Sequence, residues 1–179
     1  GKGEICKLSS KILNMDSIQH LSFSENIYLE LLELPINLKE LHCPRTNIEI
    51  LPKLPQNLTQ LYINDNNLNE LLSLPQSLII LDCSDNSELT ALPILNNKLE
   101  ELYCSSCSII QLPELPQTLK ILGCSDNKIN NLPNLPNSIE ILSIFDNNIT
   151  ELPILPNNLT SLDVSLTKIE TLDIFSYNI

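Results

Sequence analysis

The sequence predicts a solenoid, with a parallel β-sheet on its concave face, extended polyproline-II-like returns on its convex side and little helix. Three observations predict it. A 20-residue pattern recurs from Ile18 onward, each copy opens on alternating apolar residues, and all of the 12 Pro except Pro44 fall in one segment of that pattern. Fixed-period self-similarity is the signature of stacked units that bury their apolar faces only against each other.

Residues 1–17 are expected to form an N-terminal cap or a degenerate repeat. The stretch from Glu4 to Asp16 suits a short helix, while Cys6 and Leu8 fall on the ninth and eleventh positions of a unit starting two residues before Gly1. From 18 to 179 the chain reads as a repeat domain of about eight units, the last incomplete or capping. The units start at Ile18, Leu38, Leu58, Leu78, Leu99, Leu119, Ile139 and Leu159. Their shared pattern is L-x-x-L-x-(C/I/V)-x-x-N-x-(L/I)-x-x-L-P-x-L-P-x-x. The step from Leu78 to Leu99 is one residue longer, and the extra residue near Ser87 and Glu88 is expected to bulge in the loop without shifting strand register.

Each unit then follows from elementary geometry. L-x-x-L-x-C alternates as a strand does, so Leu41 and Cys43 face inward and Glu40, His42 and Pro44 outward. Eight strands spaced by about 4.8 Å give a sheet roughly 35 Å long. Asn66, Asn86, Asn127 and Asn147 share the ninth position, where an inward amide can bond the backbone of adjacent turns; Thr46, Cys107 and Thr167 are weaker rungs of that ladder. The L-P-x-L-P tract lacks N–H donors and has φ fixed by proline, so it returns as extended coil. The C-terminal TLDIFSYNI is apolar. Phe175 and Tyr177 fold over the open end, or the chain self-associates there, or the natural protein continues.

The pattern resembles the 20-residue leucine-rich repeats of bacterial effector proteins, of the Yersinia outer-protein M type and the invasion-plasmid-antigen H type of ubiquitin ligases. The likeness runs from about Ile18 to Leu172. It implies a module that recognises host proteins. In the ligase branch a separate C-terminal helical domain carries the catalytic Cys, and no counterpart is read in these 179 residues, nor is the family's N-terminal helical hairpin obvious.

Composition narrows the function. The net charge is −12 with only 10 Lys and Arg, which argues against nucleic acid and against an anionic membrane surface. The charge favours a basic protein partner, or simply reflects a soluble acidic surface. No stretch approaches the ~20 apolar residues of a membrane-spanning helix.

Candidate chemistry yields to structural readings. Cys-Ser-Asp occurs at Cys83–Asp85 and Cys124–Asp126, resembling the Cys-x-Asp of effector ligases. Both cysteines, however, sit in a slot shared by Cys43 and Cys104 and filled elsewhere by Ile63, Ile144 and Val164. A slot that exchanges Cys for Ile and Val is small and apolar. Cys104 and Cys107 form a C-x-x-C without the second pair a zinc site needs. Reduced, stacked thiols point to a reducing cytosol, which for an effector is the host-cell cytosol. His20 and His42 lack a nucleophile at a suggestive spacing, and His42 is expected to be solvated on the concave face. Asp65, Asp85, Asp126 and Asp146 share the eighth position. They supply oxygens of the kind calcium uses, but the favoured reading is an Asp bonding backbone N–H groups at the strand end. No catalytic residue, cofactor or metal site is expected.

The remaining candidate is the concave face. Positions 3, 5 and 7 place Tyr62, Ile80, Asp82, Tyr103, Ile121, Ile141 and Phe145 outward as partner-binding residues. Ile121, Ile141 and Phe145 form an apolar patch, Gly123 leaves room beside them for a partner's side chain, and Tyr62 and Tyr103 serve as anchors. The leading reading is a recognition module of a bacterial effector. The alternatives are the substrate-recognition part of a larger effector ubiquitin ligase, or a structural, self-associating repeat protein.

Overall fold

A computed structural model describes residues 6–7, 10–27 and 29–170. Eight short strands form one parallel sheet: β2 (His20–Ser22), β4 (Glu40–His42), β5 (Gln60–Tyr62), β6 (Ile80–Asp82), β7 (Glu101–Tyr103), β8 (Ile121–Gly123), β9 (Ile141–Ser143) and β10 (Ser161–Asp163). Each strand pairs with the next in this series. Among the described residues of the first 17 are a two-residue strand β1 (Cys6–Lys7) and a four-residue helix α1 (Ser10–Leu13). β1 pairs in parallel with β3 (Leu29–Glu30), on the return side of the coil. Phe175 and Tyr177, and with them the end-capping alternatives, lie outside the described residues.

The strands sit at repeat positions 3–5, where alternation turns every second side chain inward. Leu41, Leu61, Leu81, Leu102, Leu122 and Leu142 at position 4 are fully buried, as are Cys43, Ile63, Cys83, Cys104, Cys124 and Ile144 at position 6. Position 1 (Leu38, Leu58, Leu78, Leu99, Leu119 and Ile139) and position 11 complete a continuous core. A fully buried Leu stabilises by about 1.5–3 kcal/mol, so these inward rows supply most of the cohesion between neighbours. Among the described residues from Ile18 on, the returns contain no helix. Each ends in a tight turn in which the position-1 amide of the next unit bonds the position-18 carbonyl, as Leu58 N does to Pro55 O at 3.1 Å.

The longer unit keeps its register: Ile80 pairs with Glu101 and Leu81 with Leu102 across the 21-residue step. The extra residue is absorbed in a turn at Ser87–Glu88, which lets Leu89 N bond Asn86 O at 2.9 Å. Leu89 thereby fills the core slot that position 11 fills elsewhere.

That turn solves a second problem. In ordinary units the position-11 amide donates to the Asn of the following unit: Leu68 N to Asn86 Oδ1, Ile109 N to Asn127 Oδ1 and Ile129 N to Asn147 Oδ1, all at 2.9–3.0 Å. After Leu89 the following unit carries Cys107, which has no amide oxygen. The turn supplies Leu89 N with an acceptor from its own unit instead.

The other half of each rung faces back. Asn86 Nδ2 donates to Ile63 O of the previous unit at 3.1 Å and to its own Cys83 O at 2.9 Å, and Asn66, Asn127 and Asn147 repeat this. The Cys107 thiol takes the same place with weak bonds to Cys83 O and Ser105 O at 3.5 Å. Among the described residues, Asn26, the ninth residue of the first unit, donates its side-chain amide to carbonyls of its own unit, Phe23 O and Ser24 O.

The eighth position corrects the reading of the aspartates. All eight residues there, Glu25, Arg45, Asp65, Asp85, Ser106, Asp126, Asp146 and Leu166, have positive φ between 51° and 63°. This left-handed conformation turns the chain out of the strand, and Asp tolerates it better than most residues. Their own amides reach the next unit, as Asp126 N does to Phe145 O at 2.7 Å. The aspartates are thus explained by backbone conformation rather than by side-chain capping. Among the described residues no group of three His, Cys, Asp or Glu is placed to hold a metal ion.

Candidate functional site

Two rows of side chains run across the open face of the sheet. Register sets position 3 as His20, Glu40, Gln60, Ile80, Glu101, Ile121, Ile141 and Ser161, and position 5 as Ser22, His42, Tyr62, Asp82, Tyr103, Gly123, Ser143 and Asp163. Six of the seven residues expected to bind a partner, Tyr62, Ile80, Asp82, Tyr103, Ile121 and Ile141, stand in these rows, and Phe145 follows strand β9 at position 7. Tyr62, Ile80, Asp82, Tyr103, Ile121 and Phe145 are half-buried, and Ile141 is 39% exposed.

Ile121 and Ile141 are register partners on neighbouring strands. Ser143 stands between Ile141 and Phe145 along the chain, and its hydroxyl is 2.8 Å from that of Ser125. The residues expected to form an apolar patch are thus the Ile121–Ile141 register pair at position 3 and Phe145 at position 7, with Ser143 at position 5 between them along the chain.

Gly123 does not hold an empty space. A Cβ built there would meet Tyr103 Cδ1 at 3.3 Å, so the absence of a side chain accommodates the Tyr103 ring, not a partner. The Tyr103 hydroxyl donates to Glu101 Oε2 at 2.9 Å. Burial and this bond push the Tyr103 phenol up to about 12. Tyr62 donates to Gln60 Oε1 at 3.2 Å, and its phenol is also raised, by burial and then by the charges of Glu101, Glu40 and Asp82. Nor is His42 merely solvated: its ring stacks on Tyr62 with centroids 4.4 Å apart. His20 Nδ1 lies 2.7 Å from Glu40 Oε2.

The cysteine motifs lie under the sheet. Cys43, Cys83, Cys104, Cys107 and Cys124 are buried free thiols. Burial raises all five, Cys43 and Cys124 to about 12 and Cys107 to about 11. Such thiols stay protonated at neutral pH and are poor nucleophiles and poor metal ligands. Cys83 and Cys124, the candidates for a Cys-x-Asp nucleophile, are core residues.

Sequence reasoning did not single out the return side. There Leu32, Ile50 and Leu72 are 62%, 69% and 76% exposed, and Ile94 and Ile154 are 90% and 83% exposed. Their signal was available, because Leu72 replaces the usual Pro and Ile94 and Ile154 occupy the outward x of L-P-x-L-P. Among the described residues no helix is long and apolar enough to cross a membrane.

Fold and open face together define a leucine-rich-repeat solenoid with repeats of the bacterial-effector type. YopM from Yersinia enterocolitica WA-314 is similar at 32% identity and a TM-score of 0.65, over 87% of this chain and 39% of that one. A Shigella effector LRR domain is similar at 37% identity and a TM-score of 0.64, over 66% of this chain and 54% of that one. This chain thus spans well under two thirds of either structure. No model of a known protein family matches the sequence, and no curated protein does.

Proposed function

We propose that this chain is a protein-recognition module of a bacterial effector, and that it engages a host protein in the host cytosol through the open face of the sheet. The observation that carries the reading is Ile141, a large apolar residue 39% exposed on a β-sheet face, paired with Ile121 and outside the buried core. Ile80, Tyr62, Asp82 and Tyr103 extend the contact surface along the rows, and Phe145 anchors its far edge. Two features support a binding rather than a catalytic role. The thiols are held protonated in the core, and the neighbouring structures are effector repeat domains.

The test is affinity capture from eukaryotic cytosolic lysate with wild type and an Ile141→Asp/Phe145→Asp variant. Both side chains point away from the core, so the variant keeps its circular dichroism spectrum and unfolding midpoint. A protein retained by wild type and lost by the folded variant supports the reading. Equal retention by both refutes it.

A further inference from the structure

We infer that the strip from Glu40 to Tyr103 receives an Arg or Lys side chain of an extended partner segment, with Asp82 as its counter-ion. The inference rests on the open face being the binding face and adds the chemistry of what binds.

Charge complementarity carries it. In the four units from Leu38 to Ser105, positions 3, 5 and 7 hold Glu40, Asp82 and Glu101 and no Lys or Arg. Glu40 has His20 beside it and Glu101 accepts from Tyr103. Asp82 has only a backbone partner: Ser84 N donates to Oδ1 at 3.1 Å, and Oδ2 accepts no bond from the described residues. The Lys120–Glu100 ion pair, by contrast, lies at position 2, outside these rows.

Shape agrees with charge. Tyr62 and Tyr103 flank Asp82 as direct register partners. Each ring has support on its far side, Tyr62 stacked on His42 and Tyr103 against Gly123. The two rings are thus held by neighbours away from Asp82, which forms the floor between them. A cation there meets a carboxylate and two electron-rich rings. Both phenols have raised pKa values partly because Asp82 and Glu101 act on them, a sign that the strip's negative field is felt at the rings.

The spacing also constrains the partner. Asp82 on β6 lies two and three strands from Ile121 on β8 and Ile141 on β9, about 10–14 Å at ~4.8 Å per strand. Extended chain covers that in three or four residues at about 3.3 Å each. The segment therefore carries a basic residue three or four positions from a large apolar one.

The experiment titrates the labelled full chain with a Gly-Ser peptide holding one Arg and one Leu three residues apart, and with its citrulline counterpart, following backbone amide shifts. The expected result is saturable shifts on β5–β9 for the Arg peptide, with citrulline weakening binding about tenfold, as loss of a charge-assisted hydrogen bond does. Asp82→Asn, which keeps an acceptor for Ser84 N, weakens the Arg peptide equally, and Glu101→Gln, which keeps an acceptor for Tyr103, weakens it less. Equal titration by both peptides, shifts centred on the return side, or indifference to Asp82→Asn overturns the inference. If that happens while the Ile141/Phe145 variant still loses its captured protein, only the basic segment is wrong. If both fail, the open face itself is the wrong surface.

Discussion

Removing one rung of the asparagine ladder should cost far more than removing its cysteine substitute. Asn86 is fully buried, donates to Ile63 O, Cys83 O and Ser84 O, and accepts from Leu68 N. In Asn86→Ala the three carbonyls keep other partners: Asn66 Nδ2 for Ile63 O, the Cys107 thiol for Cys83 O, and Asp65 N for Ser84 O. Leu68 N has none left. An orphaned buried donor costs about 1–3 kcal/mol, and three lost net bonds add roughly 0.5–1.5 each, so a total on the order of 3–7 kcal/mol is expected. Cys107→Ala loses two weak thiol bonds and orphans no backbone amide, because Leu89 N is held by Asn86 O; about 1 kcal/mol is expected there. Urea unfolding followed by circular dichroism measures both. Since repeat arrays depart from two-state behaviour, hydrogen exchange at the Leu68 amide is the sharper readout. Protection at Leu68 should collapse in Asn86→Ala and persist in Cys107→Ala. Equal costs for the two variants, or an unchanged Leu68 amide, would refute the ladder as the source of cohesion. A further cycle checks the insertion: Cys107→Asn combined with deletion of Ser87 should be more stable than the two single changes predict together.

Three further outcomes follow from the same structure. Folded-state pKa values of about 12 for Cys43 and Cys124, against an ordinary 9.0, mean that their stabilising effect is intact below pH 9 and lost as pH rises toward 12. Each should cost about 1.4 kcal/mol between pH 8 and 10, and Cys43→Val/Cys124→Val should flatten that slope in denaturant titrations. At the eighth position, Leu166 with φ 53° is strained, so Leu166→Asn should raise the thermal midpoint, while Asp126→Val should lower stability by about 1–2 kcal/mol. Gly123→Ala should shift the Tyr103 ring by tenths of an ångström with little change in stability, whereas Gly123→Val should displace the ring and break its bond to Glu101, visible in the Tyr103 ring resonances.

The repeat and its core were legible because one slot exchanges Cys, Ile and Val at constant period, so Cys83 and Cys124 could be placed in the core despite their Asp neighbours. The extra residue near Ser87 was visible as a length. Its partnership with Cys107 was not, because that requires knowing that a position-11 amide donates to the following unit's Asn. The left-handed turn was hidden by a position mixing Asp with Arg, Ser and Leu; only the recurrence of Asp hinted at it. On the open face, strand alternation put Tyr62, Ile80, Asp82, Tyr103, Ile121 and Ile141 in the rows where the register has them. What it missed were contacts between neighbouring strands within the position-5 row, Tyr103 over Gly123 and His42 on Tyr62. Adjacent units put His42 beside Tyr62, and a comparison at spacing 20 finds that pair.

The face assignment is most directly tested by pitting the two sides of the solenoid against each other. Capture from eukaryotic cytosolic lysate is run with wild type, with Ile141→Asp/Phe145→Asp on the open face, and with Ile94→Asp/Ile154→Asp on the return side, whose residues are 90% and 83% exposed. All three should be folded by circular dichroism. Recognition through the sheet predicts that the return-side variant retains the wild-type partner and the open-face variant loses it. The reverse pattern would contradict the account and move the binding surface to the exposed leucines and isoleucines of the returns.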